Sequence, residues 1–311
     1  MTLADFLTLF AVYISIFLFG MTVLRIGLYQ LSYRSMRQAL QRFTSNPFKG
    51  MLMGVVVTGV LQSSSCTMVL TVGFVSVGLI TFRQSIGIIL GANIGTTVTA
   101  EIMTFYEQIP LWPLLIVGAI FLLFRKPIVF GAGAISFGLG TVFVALNGLE
   151  TLAEPIKAFP VIQEALQTTD TYTSAGILLG TGLTAIIQSS TATTGIAMTF
   201  LNENLIGLSS AIAIMLGANI GTCITAWFAS IGSNREAKLV ALAHIWLNVL
   251  GVVVFAPFVH EMSSLAQWLT QDPLKQLAHI SVLFNVVSSL IVLPVVKQFT
   301  NFVLWVHRKS A

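Results

Sequence analysis

Apolar residues run through this chain in long blocks, and polar residues gather in the gaps between them. A membrane-crossing helix needs about 20 mostly apolar residues. Seven blocks read as full crossings, near 6–26, 84–105, 110–125, 128–148, 207–230, 238–259 and 278–300. Two further stretches, 48–80 and 174–204, are longer but are interrupted near their middles by polar clusters. Each can hold two short helices and reads poorly as one straight span. Both therefore predict re-entrant hairpins, because irregular backbone at membrane depth survives only inside protein or along a water-filled cavity. The expected fold is an all-α polytopic membrane protein, one transmembrane domain over 1–311.

Composition agrees. Hydrophobic residues make up 56% of the chain and charged residues 8%, against about 25% charge in a soluble domain. The outer surface must face lipid. The net charge of +4 does not indicate nucleic acid, since the basic residues lie between apolar runs and form no patch. The two cysteines, Cys66 and Cys223, sit among small apolar neighbours and make no disulfide framework. No Lys or Arg precedes the first apolar run, so a cleaved leader is not expected.

Charge placement orients the spans. With the N-terminus outside and each hairpin returning to its own side, 13 of the 15 Lys and Arg residues fall inside; only Lys157 and Lys275 fall outside. That bias predicts an N-out, C-in plasma-membrane protein. Two linkers read as amphipathic. In 28–43, Leu28, Leu31, Met36, Leu40 and Phe43 oppose Arg34, Arg37 and Arg42, as in a helix lying on an anionic inner surface. Segment 149–167, with Glu150, Glu154 and Glu164, falls outside.

The chain overlays itself at an offset of 126 residues. Residues 54–100 match 180–226 at 20 of 47 positions without a gap. Leu90-Gly91-Ala92-Asn93-Ile94-Gly95-Thr96 recurs unchanged as Leu216-Gly217-Ala218-Asn219-Ile220-Gly221-Thr222. Gln62-Ser63-Ser64-Ser65-Cys66-Thr67 recurs as Gln188-Ser189-Ser190-Thr191-Ala192-Thr193, and Thr58 pairs with Thr184. Repeat 1 covers about 1–126 and repeat 2 about 127–311. Three predicted crossings separate the two starts. An odd number inverts the second copy, which brings the hairpin tips in from opposite faces toward one midplane site.

The motifs are rich in hard ligands and carry no charge. A break at Gln-Ser-Ser frees backbone carbonyls for Na⁺ and helix-opening N–H groups for an anion. Paired glycines in Gly-Ala-Asn-Ile-Gly-Thr are expected to break the helix and to let another backbone approach closely, and the Asn amide and Thr hydroxyl add ligands. The bland reading is Ser/Thr glue and small-residue packing between helices; the doubling at hairpin centres weighs against it. An anion held here needs co-bound cations. His244, Asn248, His279 and Asn285 read as interhelical hydrogen-bonding residues, and Arg83 reads as an inner-surface anchor. No enzyme constellation is present: the chain has no P-loop, no Gly-x-Ser-x-Gly elbow and no His/Cys metal spacing.

Duplicated Gln-Ser-Ser-Ser segments, each followed by a Gly-Ala-Asn-Ile-Gly-Thr segment, resemble the type II sodium–phosphate cotransporter family over most of 48–100 and 174–230. The resemblance implies Na⁺-driven transport of inorganic phosphate. It implies phosphate ligands among Gln62, Ser63, Ser64, Ser65, Thr67, Asn93, Ser189, Ser190, Thr191 and Asn219. Sodium ligands are expected among Gln188, Ser189, Thr193, Thr222, Thr225 and Thr96. Thr191 stands where the family has a third serine. The cytoplasmic regulatory domain that follows the membrane part in some relatives is not expected here. Na⁺ is the only cofactor expected. The partners are phosphate, sodium and lipid, with no nucleic acid, and the sequence leaves room for a homodimer. The rivals are a symporter of another small anion such as a dicarboxylate, a non-transporting membrane regulatory subunit, and a passive channel.

Overall fold

The computed structural model describes residues 1–42 and 46–308, and for 33–42 the backbone alone. Those residues are mostly helical, and no strand occurs among them. The helices are α1 (Leu3–Arg42), α2 (Pro47–Leu61), α3 (Ser64–Ser76), α4 (Phe82–Met103), α5 (Leu111–Leu122), α6 (Pro127–Glu150), α7 (Ala153–Ile156) and α8 (Pro160–Thr171). Then follow α9 (Thr173–Ile187), α10 (Ser190–Asn202), α11 (Leu208–Gly221), α12 (Cys223–Ser230), α13 (Arg235–Phe255), α14 (Val259–Leu269), α15 (Pro273–Val292) and α16 (Val296–Val306). Six stretches are long and apolar enough to cross a membrane: Leu3–Ser32, Phe82–Met103, Pro127–Ile156, Leu208–Ser230, Arg235–Leu269 and Pro273–Val306. This is a multi-pass membrane protein.

The predicted seventh crossing, 110–125, is corrected in part. Its helix α5 has 12 residues, about 18 Å of rise, against a hydrocarbon core of about 30 Å. Yet the segment around it runs the length of α6. Tyr106, before α5, bonds Glu150 at the far end of α6. A Cβ on Gly118 would strike Phe137, and one on Gly133 would strike Phe121, so α5 packs antiparallel to α6. The last two spans are longer than expected and bend at 3₁₀ turns containing Pro257 and Pro294, where proline removes a helix donor. The linker 28–43 continues α1 as helix to Arg42, with Leu28 half-buried and Leu31 exposed; Phe43 and the side chains of Arg34, Met36, Arg37, Leu40 and Arg42 lie outside the described residues.

Both predicted hairpins form, and they share one backbone. The bounds of α2 and α9, of α3 and α10, and the starts of α4 and α11 all differ by 126 residues. Each hairpin turns on a left-handed glutamine, Gln62 at φ 51° and Gln188 at φ 60°. A serine follows as N-cap, accepting from the third N–H along: Cys66 N to Ser63 Oγ and Ala192 N to Ser189 Oγ, both 3.2 Å. Buried Thr58 donates to Thr67 at 2.8 Å, and Thr184 to Thr193 at 2.8 Å, closing each hairpin across its own turn.

The first Gly-Ala-Asn-Ile-Gly-Thr copy is not a helix break, contrary to expectation. It lies inside continuous α4, while the second copy ends α11 at Gly221. Its glycines serve close approach instead. A Cβ on Gly91 would run into the Met51 carbonyl, and one on Gly217 into the Ile177 carbonyl, 126 residues on. Without side chains in the way, α2 packs backbone to backbone on α4, and α9 on α11.

Candidate functional site

A cleft lies at the junction of the two repeats. Asn93, Thr96, Thr97, Ala100 and Met103 of α4 line one wall. Ser190, Thr191 and Thr194 of α10 face them, with Met215, Ala218 and Asn219 of α11 and with Ser281 and Asn285 of α15. No ionisable side chain lines it. Its free space is about 20 Å³, room for one water or a bare cation. A phosphate needs the walls to part.

Local bonding explains how these side chains are held. Thr96 donates to the Ala92 carbonyl at 2.8 Å and Asn219 to the Met215 carbonyl at 2.9 Å. Asn93 Nδ2 donates to Asn248 Oδ1 at 3.1 Å, which ties α4 to α13. Asn285 donates to the Ser281 carbonyl at 2.9 Å. Just beyond the cleft, His279 Nδ1 and Glu101 Oε1 meet at 2.8 Å, linking α15 to α4. The Asn248 and His279 bonds are the interhelical contacts expected of them; Asn285 instead bonds within its own helix. Thr97, Thr194 and Ser281 carried no motif signal of their own. Thr97 and Thr194 adjoin the duplicated motifs, and Ser281 lies one turn before Asn285.

Five of the residues predicted as ligands line the cleft: Asn93, Thr96, Ser190, Thr191 and Asn219. The rest do not. Thr193 is spent on the Thr184 pair and Thr67 on the Thr58 pair. Thr222 donates to the Ala218 carbonyl and Thr225 to the Thr222 carbonyl, each at 2.9 Å. Gln62, Ser63 and Ser64 are buried at the first tip, and Ser65 is partly buried. Gln62 Oε1 accepts from Thr99 at 2.5 Å, and its backbone carbonyl accepts from Arg25 Nε at 3.0 Å. Ser189 is buried at the second tip, but Gln188 is exposed and its amide turns back to the Ala185 carbonyl at 2.5 Å.

The profile of the Na⁺/Pi-cotransporter family matches residues 16–151 and 157–284. The chain belongs to that family. It is 40% identical to the uncharacterized protein YqeW of Bacillus subtilis, over 94% of this chain and 96% of that one. It is 28% identical, over 93% of its length, to a Salmonella typhimurium protein provisionally named inorganic phosphate export protein YjbB, and covers 53% of that longer chain. Over 63 residues, 20% of this chain and 9% of the relative, it is 46% identical to human sodium-dependent phosphate transport protein 2B. No solved structure matches.

Proposed function

We propose that this family member is a sodium-coupled secondary transporter of inorganic phosphate that works by alternating access at the cleft between its two repeats. The observation that carries the reading is the lining itself. Equivalent asparagines, Asn93 and Asn219, and hydroxyls from both halves converge on one uncharged space. Neutral oxygen ligands suit Na⁺, and bound Na⁺ supplies the positive charge that an incoming phosphate needs. Because the cleft as it stands has room for a single small species, this conformation is the closed one, and hairpin 2 must move to admit the anion.

Helix packing supports the inverted arrangement that alternating access uses. By the 126-residue offset, α6 is the counterpart of α1. The two pack antiparallel, Gly20 against Gly138 and Gly27 against Gly131. Counterparts pointing opposite ways are what an inverted repeat requires. The N-out, C-in orientation rests on the inner-side excess of Lys and Arg.

The sodium-dependent relative and the export-named relative suggest opposite physiological directions, and the same residues serve both. The test is labelled phosphate flux in proteoliposomes, with a sodium gradient imposed in each direction in turn. Phosphate movement that follows the sodium gradient supports the reading. Flux indifferent to sodium, or stronger for a dicarboxylate than for phosphate, replaces it with a rival.

A further inference from the structure

The duplicated motifs contain no charge, but a charge reaches one of them from elsewhere. Arg25 lies within the membrane-spanning stretch Leu3–Ser32. Its guanidinium flanks the opening turn of α3. Nε donates to the Gln62 carbonyl, one residue before the Ser63 N-cap, at 3.0 Å. It also interacts electrostatically with Tyr29 and with the thiol of Cys66, which are themselves hydrogen-bonded to each other. Among the described residues no carboxylate lies within ion-pair distance of Arg25. Among the described residues the Nε bond to the Gln62 carbonyl is the one hydrogen bond from the guanidinium, which leaves four of its five N–H groups without a described partner.

A guanidinium inside a membrane is costly unless an anion, a carbonyl or water meets it, and such a residue is a functional candidate by default. One carbonyl leaves most of this one unmet. Capping the end of α2 accounts for Nε alone. The remaining N–H fork matches two oxygens of a phosphate. The N-terminus of α3, capped by Ser63, opens at the same turn. The second hairpin has nothing comparable, because position 151, the counterpart of 25, is threonine.

We infer that Arg25 is an anion-binding residue that holds a phosphate oxyanion at the tip of hairpin 1. The inference rests on the phosphate-transport reading but can fail separately from it. Arg25→Gln retains an N–H for the Gln62 carbonyl and removes the charge. The half-saturating phosphate concentration should rise roughly tenfold or more, the size of a charge-assisted hydrogen bond, with half-saturating sodium nearly unchanged. Arg25→Lys should fall between the two. Sodium-driven flux with unaltered phosphate dependence in Arg25→Gln overturns the inference and leaves the transport reading intact. A binding assay on the purified wild type does not depend on flux. Phosphate in a sodium chloride buffer should slow modification of Cys66 by a small anionic thiol reagent, and chloride alone should not. Equal rates with and without phosphate overturn the inference even if Arg25→Gln fails to fold. Protection in a protein that shows no flux keeps the anion site and discards the transporter.

Discussion

The two hairpins share a backbone and differ in their company. Each turns on a left-handed glutamine, caps its second helix with serine and closes over a threonine pair. At the first tip, Gln62 is buried, held by Thr99 and approached by Arg25. At the second, Gln188 is exposed, and Thr225, the counterpart of Thr99, bonds the Thr222 carbonyl of its own turn. Each glutamine amide turns back to the carbonyl three residues before it, so the same local recipe builds one buried tip with added partners and one exposed tip without them among the described residues. Part of the difference comes from outside the matching segments, where α1 brings Arg25 to the first tip. A duplicated motif fixes local geometry, and its neighbours divide the labour.

Four pairs of substitutions press on that comparison. The largest effects belong to the glycines both halves share. Gly91→Leu and Gly217→Leu each push a side chain into a facing backbone carbonyl, and each should cost about 3 kcal/mol or more. Thermal melts in detergent should fall alike for the two; a large difference breaks the claim that the repeats pack by one rule. Next come the glutamines. Gln62→Ala strips a partner from Thr99 and should cost about 1–3 kcal/mol, whereas Gln188→Ala should stay within about 0.5 kcal/mol. Equal melting shifts would mean that the tips are held equally. Thr58→Val and Thr184→Val each remove one partner of a buried hydroxyl pair and should lose about 1 kcal/mol apiece. The smallest effects, and of opposite sign, come from glycines with nothing around them. Gly73→Ala in α3 and Gly182→Ala in α9 meet open space and should gain about 0.5–1 kcal/mol in melts of either variant.

Much of this architecture was legible from residue order. Polar clusters inside overlong apolar runs marked the hairpin turns to the residue, because Gln-Ser-Ser combines a chain break with an N-cap. The 126-residue offset carried over into helix bounds and even into a positive φ at Asn204 opposite Gly78. Less legible was the use of glycine. In α4 and α11 it admits a neighbouring backbone, and nothing in a single helix's sequence separates that from a weak point. The lining of the cleft was half legible. Motif membership singled out Asn93, Thr96, Ser190, Thr191 and Asn219, which line it. It could not show that Thr67 and Thr193 spend their hydroxyls inside their own hairpins, or that Ser281 reaches the cleft from 60 or more residues away. Arg25 was invisible for the same reason: in sequence it is one more inner-side basic residue, and only the packing of α1 on hairpin 1 gives it a role.

The account stands or falls on the cleft between the repeats as the path of the transported ions. Thr194 lines that cleft from hairpin 2. In a background of Cys66→Ser and Cys223→Ala, Thr194→Cys places the sole thiol of the chain there. Sodium-driven phosphate flux should survive these substitutions and stop when the thiol is modified, and sodium with phosphate should slow that modification. Complete modification with undiminished flux would contradict the account.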